Sequence, residues 1–408
     1  MFRRNQYSVL AGLDIGSRNM KIIVVADKGE EDLEVLAQVN KPCFGVRKGV
    51  IVKPDKITEE IEDIAEEAET ISGQKIESVF LNIDGSHVGS ISSKGIVAVS
   101  RADGQISQED IDRVIQAAQK INIPSNKEII DVFPKEFVID GEGGIREPIG
   151  MKGTRLEAEV LLICALSPYL QNLTKTVLNS GLNINNIQSS PIAAARAVLN
   201  PQQKELGVAL VDIGASTTGM AVFEEENLIH AAIFPIGSDH ITQDIAIGLK
   251  CEIDLAEKIK REFGTCILKR KKGEKYKRDK IVVSDSLSFS RKMLTTIVEA
   301  RVSEIFDLVS KELKKASVHK LLPAGIVLTG GGAKTSNIVE LVKKELKLPC
   351  KIGFSKGIFG LEKDSSLATV CGLVLETSEH SEEYGYSFTE SRSGIGSKIK
   401  KIFKIFIP

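Results

Sequence analysis

The sequence predicts an α/β protein of two related lobes, with a smaller α+β subdomain inserted into the first. Three observations carry this. One pattern occurs twice, about two hundred residues apart: Gly12, Leu13, Asp14, Ile15, Gly16, Ser17, with Lys21 following, and Val211, Asp212, Ile213, Gly214, Ala215, Ser216, Thr217, Thr218, Gly219. In each copy an apolar run (Val9 to Leu13; Val208 to Val211) enters an Asp-Ile-Gly turn and small hydroxyl residues. A second apolar run leaves it (Ile22 to Val25; Met220 to Phe223), which is the pattern of strand, tight turn, strand. At 408 residues the chain also exceeds what one hydrophobic core usually sustains. Finally, the texture between residues 85 and 166 differs from both flanks, with short strand-like runs around a single helix.

In order along the chain, Ile57 to Ser72 has helical spacing (Ile57, Ile61, Ile64, Ala65, Ala68) with an acidic opposite face. Ser78 to Ile83 is a strand ending at Asp84-Gly85-Ser86-His87. The inserted part has strand-like runs at Ile96 to Val99, Ile129 to Phe133, Glu136 to Ile139 and Glu157 to Ala165. Its helix spans Ser107 to Lys120, with Ser107 as N-cap and Glu109 and Asp110 in the first turn. Pro168 opens a helix to Ser180 that stops at Gly181, and Pro191 opens another over Ile192 to Leu199.

The second lobe starts near Glu205. Helices are predicted over Ile241 to Leu249, Leu255 to Phe263 and Ser286 to Ala316, then a strand over Gly325 to Thr329 and a helix over Asn337 to Leu346. The basic stretch Lys269 to Lys280 reads as a solvated hairpin or loop. It lacks the interleaved aromatics of a nucleic-acid surface, and the net charge of -1 gives no global reason to expect nucleic acid as a partner. The six cysteines are scattered, without a C-x-x-C pair or histidine cluster, so free thiols are expected and zinc is not. Arg3 and Arg4 are followed by no long apolar segment of a signal peptide, and no run approaches the ~20 apolar residues of a transmembrane helix. A cytoplasmic chain is the expectation.

The hairpin tips suit a phosphate chain, because glycine admits close backbone approach and successive N–H groups make an anion-binding nest. Asp14 and Asp212, at the strand ends, suit a hydrated Mg²⁺, which takes one or two carboxylates alongside phosphate oxygens. Gly330-Gly331-Gly332, after a strand and before a helix, offers a backbone against which a flat base can lie, with helix N-terminal potential nearby. Glu257 and Lys260, at i and i+3 on one helix, can reach ribose hydroxyls; otherwise they are a solvated helix pair.

These pieces, with Pro191-Ile192-Ala193-Ala194-Ala195 between the hairpins, resemble the actin-like ATPase superfamily. Finer agreement resembles the bacterial cell-division FtsA family over about residues 8 to 376. It runs through Leu81 to His87, Ala209 to Phe223, Pro235-Ile236-Gly237 with Ile241-Thr242, and Ala256 to Gly264. It continues in Glu299-Ala300-Arg301, Glu304-Ile305-Phe306, Ala324 to Gly332, and Ala368-Thr369-Val370 with Gly372-Leu373. The resemblance implies an actin-like fold of duplicated ribonuclease-H-like domains, with a first lobe at 8–84 and 167–204, the insert at 85–166 and a second lobe at 205–376. It implies ATP and Mg²⁺ as cofactors, held by Asp14, Gly16, Ser17, Arg18, Asn19 and Lys21 of the first lobe. From the second lobe it implies Asp212, Gly214, Ala215, Ser216, Thr217, Thr218, Glu257, Lys260, Gly330, Gly331, Gly332 and Lys334.

As partners the same resemblance implies the FtsZ C-terminal tail near Arg301 and Glu304, further copies of the chain in filaments, and other divisome proteins, at the inner-membrane face of the division site. Arg301 has a structural ion pair as its alternative role. Two positions depart from the family pattern: Ser190 stands where a water-positioning side chain is usual before the proline, and Gly219 where a polar acceptor ends the second hairpin. Positioning is most of what phosphoryl transfer asks of a protein, so slow or absent hydrolysis is expected unless neighbours substitute. A pilus-assembly ATPase resembling PilM and a small-molecule kinase of the same superfamily are the alternatives.

The polar segment 377–393 reads as a tether, and 394–408 as an amphipathic helix. Ile395, Ile399, Ile402, Phe403 and Phe406 form one stripe; Lys400, Lys401 and Lys404 lie opposite, with Lys398 at the border. Such a helix suits an anionic membrane surface, the rival being a helix docked on the protein core.

Overall fold

The computed structural model describes residues 7–29, 33–120, 123–268, 280–284, 287–316 and 322–376. The basic stretch up to residue 279, the tether and the amphipathic tail expected from the sequence lie outside them. In the first lobe, β1 (Ser8–Ile15), β2 (Asn19–Asp27) and β3 (Leu33–Pro42) form an antiparallel meander. A small hairpin, β4 (Val46–Arg47) and β5 (Val50–Ile51), leads into α1 (Pro54–Ser72) and then β6 (Ser78–Ile83), which lies parallel to β1. Helix α1 forms because Pro54 presets its first turn and its apolar stripe, Ile57, Ile61, Ile64, Ala65 and Ala68, is buried as the spacing predicts.

The inserted subdomain comprises β7 (Gly89–Ala98), α2 (Gln108–Gln119), β8 (Lys127–Ile139), β9 (Glu142–Ile145) and β10 (Arg155–Leu166). Ser107 caps α2 in a reciprocal capping box with Asp110. Ile111, Val114, Ile115 and Ala118 meet Phe137, Leu156 and Val160 in a core of the subdomain's own. The two runs read as separate strands on either side of Pro134 are one strand. Its pairing slips at Lys135, so that Glu159 faces Glu136 while Val160 faces Pro134, and this bulge absorbs the proline.

The chain returns through α3 (Ser167–Asn179), β11 (Asn183–Ser189), α4 (Ser190–Val198) and α5 (Pro201–Leu206). In the second lobe β12 (Val208–Ile213), β13 (Thr218–Glu224) and β14 (Asn227–Phe234) repeat the meander. Helices α6 (Ser238–Leu249) and α7 (Ile253–Phe263) follow, then a hairpin of β15 (Lys280–Ser284) and β16 (Leu287–Ser290), and α8 (Arg291–Lys315). The helix expected from Ser286 therefore begins at Arg291, where the Ser290 hydroxyl accepts from the Met293 N–H. The lobe closes with β17 (Gly325–Thr329), α9 (Ile338–Leu346) and β18 (Cys350–Ile352). The chain then crosses back, so that β19 (Ile358–Phe359) and α10 (Ala368–Val374) pack on the first lobe although the sequence places 205–376 in the second.

Among the described residues the first-lobe sheet runs β11-β6-β1-β2-β3-β19, and the second-lobe strands run β18-β17-β12-β13-β14. Each lobe is a three-stranded meander with parallel strands added beside its first member, so one topology is used twice. Helices α4 and α10 cross beneath the cleft. Gly372 permits this approach: a Cβ there would lie 1.7 Å from the Ala193 carbonyl oxygen. The insert's strands continue the second-lobe sheet past β14, where Ala232 pairs with Gly89. Ser90 Oγ donates to the Ala231 carbonyl (3.0 Å) and accepts from its N–H (3.1 Å). The six cysteines are free, and all but Cys251 are buried.

Candidate functional site

The two Asp-Ile-Gly hairpins face each other across a cleft of about 570 Å³, a size common among small-molecule sites. In the first hairpin Asp14 is the cross-strand neighbour of Lys21, and the Lys21 Nζ lies 2.8 Å from Asp14 Oδ2. Burial works against the lysine's charge, yet Asp14 holds its pKa above the usual value. In the second hairpin the cross-strand neighbour of Asp212 is Gly219. Thr369 Oγ1 donates to Asp212 at 3.1 Å. Burial, then the charge of Asp14, push the Asp212 carboxyl up to about 7.

A third carboxylate, Asp84 at the end of β6, lines the same cleft. Sequence reasoning did not assign it, although an apolar strand running into Asp-Gly was visible there. Thr217 Oγ1 donates to Asp84 across the lobes at 2.6 Å, and burial raises the Asp84 pKa. Ser216 Oγ reaches Ser17 Oγ at 2.5 Å, so the hairpin tips touch. Arg18 pairs with Asp239 and with Glu257, each at 2.9 Å. These four contacts join the two lobes across the cleft.

Glu257 on α7 receives Thr242 Oγ1 at 2.6 Å, Arg261 at 2.7 Å and Lys260 at 2.7 Å. Burial opposes its charge, but the bonds from Lys260 and Thr242 hold its pKa down at about 2. Lys260 also donates to the Ser238 carbonyl at 3.1 Å. The pair is a partly buried corner rather than a solvated helix face.

The triple glycine opens a 3-10 turn, Gly331–Lys334, and α9 begins only at Ile338. The expected helix N-terminus is therefore displaced from the glycines. Gly330 has φ +83°, and a Cβ there would lie 2.2 Å from Asp212 Oδ1; one at Gly332 would meet Ile213 Cγ2 at 2.3 Å. Gly331 has open space around its missing Cβ, so its backbone is the free surface. Lys334 pairs with Asp364 at 2.7 Å on the same wall.

The cleft gathers Asp14, Gly16, Ser17, Arg18, Asn19, Lys21, Asp212, Gly214, Ala215, Thr217, Glu257, Lys260, Gly330, Gly331, Gly332 and Lys334. Two assigned residues stand apart. Thr218 is fully buried with its hydroxyl donating to the Ile236 carbonyl (2.8 Å), because strand alternation turns it into the core. Ser216 serves the contact between tips. Asp84, Asn40 and Asp364 join the lining without having been assigned. Among the described residues no group of three or more His, Cys, Asp or Glu side chains forms a metal cage by itself.

The two departures have local reasons. Ser190 is buried, accepting from Asn82 Nδ2 at 3.1 Å and donating to the Ile83 carbonyl at 3.3 Å. At Gly219 a Cβ would meet Pro191 Cβ at 2.9 Å. Arg301 lies on α8, and its guanidinium grips Asp244 of α6 through two bonds of 2.6 and 2.9 Å, with Glu304 at 2.5 Å. The alternative role of Arg301, a helix-to-helix ion pair, is what the geometry places there.

A family model described as the cell division protein FtsA matches residues 209–372, and one for the SHS2 domain inserted in FtsA matches residues 85–164. The cell division protein FtsA of Pseudomonas aeruginosa is 36% identical over 371 residues, covering 90% of this chain and 88% of that protein. That of Bacillus subtilis is 34% identical over 371 residues, covering 91% and 83%. Among solved structures, a PilM-PilN type IV pilus biogenesis complex aligns with a TM-score of 0.63 at 16% identity, covering 90% of this chain and 98% of that one. MreB5 of Spiroplasma citri bound to ADP aligns at 0.53 and 14%, covering 92% and 99%. The structural likenesses establish the actin-like fold.

Proposed function

The chain belongs to the FtsA family of cell-division proteins, and we propose that it binds Mg²⁺-ATP, self-assembles, and anchors FtsZ filaments to the inner membrane at the division site. The observation that supports nucleotide binding is the cleft itself. Two hairpin backbones face a glycine surface and an acid–base corner, and among the described residues the half-buried Asp212 carboxylate has no cation beside it comparable to the lysine beside Asp14. Those residues fit the cofactor: the tips would take the phosphates, Asp14 and Asp212 the hydrated Mg²⁺, Glu257 and Lys260 the ribose, and Gly331 the base. The metal would supply charge neutralisation at the phosphates. MreB5 of Spiroplasma citri, solved with ADP and with AMPPNP, has this fold.

Hydrolysis is slow or absent in this reading, because Ser190 is tied to Asn82 and Gly219 carries no acceptor. Calorimetry with Mg²⁺-ATP tests the site. Asp14→Ala and Gly331→Tyr should each abolish binding, and tight binding by both variants would remove the assignment. The second substitution is the cleaner, since Gly331 alone of the three glycines has room for a side chain.

Membrane attachment rests on the sequence of residues 394–408. Ile399, Ile402, Phe403 and Phe406 would enter the headgroup boundary at about 25 cal/mol per Å² of apolar area, and each lysine adds about 1 kcal/mol on an anionic surface. One such helix binds reversibly, and a filament presenting many gains avidity. Removing residues 394–408 should release the protein from anionic liposomes with ATP binding intact. Undiminished co-sedimentation would show another anchor. The FtsZ tail is assigned to the second-lobe face around Arg301 and Glu304. Because Arg301 also secures α8 to α6, the exposed Glu304 is the better probe: Glu304→Lys should weaken FtsZ binding, and unchanged affinity would move the contact elsewhere. The pilus reading has only the shared fold in its favour.

A further inference from the structure

Glu257 is saturated. Its Oε1 faces Arg18 Nη1 at 2.9 Å and Arg261 Nε at 2.7 Å, while its Oε2 faces Thr242 Oγ1 at 2.6 Å and Lys260 Nζ at 2.7 Å. A carboxylate offers about four acceptor positions, so a ribose hydroxyl can bond to Glu257 only by displacing a donor. Three of the four donors stand on Glu257's own lobe, Lys260 and Arg261 within its helix and Thr242 on the adjoining α6. Arg18 comes from the tip of the first-lobe hairpin, and its side chain is 34% exposed. Arg261 is more exposed, at 70%, but it stays on Glu257's own helix. Arg18 is the donor that the opposite lobe supplies, and it already has a second carboxylate in reach.

Arg18 also has somewhere to go. Asp239 Oδ1 lies 2.9 Å from Arg18 Nη2 as an ion-pair neighbour, yet this buried oxygen has no aligned hydrogen bond. A small turn of the guanidinium away from Glu257 can supply one, since a fork of five N–H groups satisfies carboxylates best in line.

We propose that Arg18 competes with the ribose hydroxyls of the bound nucleotide for Glu257, joining the two lobes when it holds Glu257 and resting on Asp239 when the ribose does. This rests on the reading of Glu257 as the ribose contact. Arg18 is then a specificity-determining residue: it sets how much affinity the ribose hydroxyls contribute, and it links their recognition to the lobe-to-lobe contact.

The test compares ATP with 2′,3′-dideoxy-ATP, both as Mg²⁺ complexes, in the full-length protein. The ratio of the two dissociation constants cancels the effect of Arg18's charge on the phosphates. In Arg18→Ala the preference for ATP should rise about fivefold at low salt, the size of a partly exposed ion pair, and the gain should shrink as salt rises. Arg18→Lys, which keeps the charge but loses the fork, should fall between. In a Glu257→Gln background, substituting Arg18 should leave the ratio unmoved. A ratio that stays constant or falls in both Arg18 variants, with Glu257 intact, overturns the competition. If Glu257→Gln alone leaves the ratio unchanged, the ribose does not sit at Glu257, and the reading of the site fails instead.

Discussion

The two hairpins share strand order, turn and an aspartate at the same register, and they differ in what faces that aspartate across the ladder. Asp14 faces Lys21; Asp212 faces Gly219. The first carboxylate carries its counter-ion permanently. The second is half-buried, one threonine hydroxyl donates to it among the described residues, and its pKa is displaced from 3.8 to about 7. A duplicated element has thus become one fixed anchor and one site whose charge awaits a partner. Gly219 is not merely a lost acceptor, because Pro191 of α4 fills the space a side chain would need.

The largest break in this comparison should come from Lys21→Ala. Removing the partner of a buried carboxylate costs about 3–5 kcal/mol, so denaturant unfolding should show a loss of that order together with loss of nucleotide binding. A loss below about 1 kcal/mol would mean that water already screens Asp14. Gly219→Ala tests the other hairpin at its tightest point. Overpacking against Pro191 should cost about 1–3 kcal/mol, and Gly219→Asp should therefore destabilise the protein without raising phosphate release. Faster turnover in a stable Gly219→Asp variant would show that the Pro191 contact yields easily.

A further effect concerns pH. Between pH 3.8 and about 7 the unfolded chain has released the Asp212 proton while the folded chain keeps it. This group's contribution to stability therefore declines as pH rises through that window and stays low above it. Asp212→Asn removes the decline. In nucleotide-free protein the variant should melt about 2–4 °C above wild type at pH 8, an effect of about 2–4 kcal/mol in a chain of 408 residues, and close to wild type near pH 4. An equal difference at both pH values would exclude titration of Asp212 as the cause. Glu257 runs the other way: with its pKa lowered from 4.5 to about 2, its contribution is present above pH 4.5 and lost as pH falls through 2.

The hairpins were legible because apolar runs, an Asp-Gly turn and hydroxyl residues coincide at one register. Helices α1 and α2 were legible for a similar reason, with stripe and cap agreeing. The hairpin before α8 was missed, although Leu287 and Phe289 alternate with serines in strand fashion, because helical spacing downstream was extended backwards over it. Asp84 was missed because its role depends on Thr217, 133 positions away, and no local pattern announces such a pairing. Thr218 was assigned to the ligand with its neighbours, yet adjacent strand residues point to opposite faces. The arrangement around Glu257 was half visible: Lys260 at i+3 could be read, but Arg18 could not, because it arrives from the other lobe.

The insert leaves the first lobe after Asp84 and returns to it at Ser167, so chain continuity fixes it there. It is also bonded to the second lobe, by Ala232 with Gly89 and Ser90 with Ala231 close to that root, and by Arg146 with Glu205 and Glu225 at 3.7 and 3.4 Å. The lobes are also joined directly by the chain between α4 and β12. Three bodies linked pairwise make a closed linkage, which has fewer independent motions than the same bodies in an open string. A hinge-opening of the cleft must then bend one of the insert's two attachments, and a force applied to the insert from outside is delivered to both walls of the cleft at once.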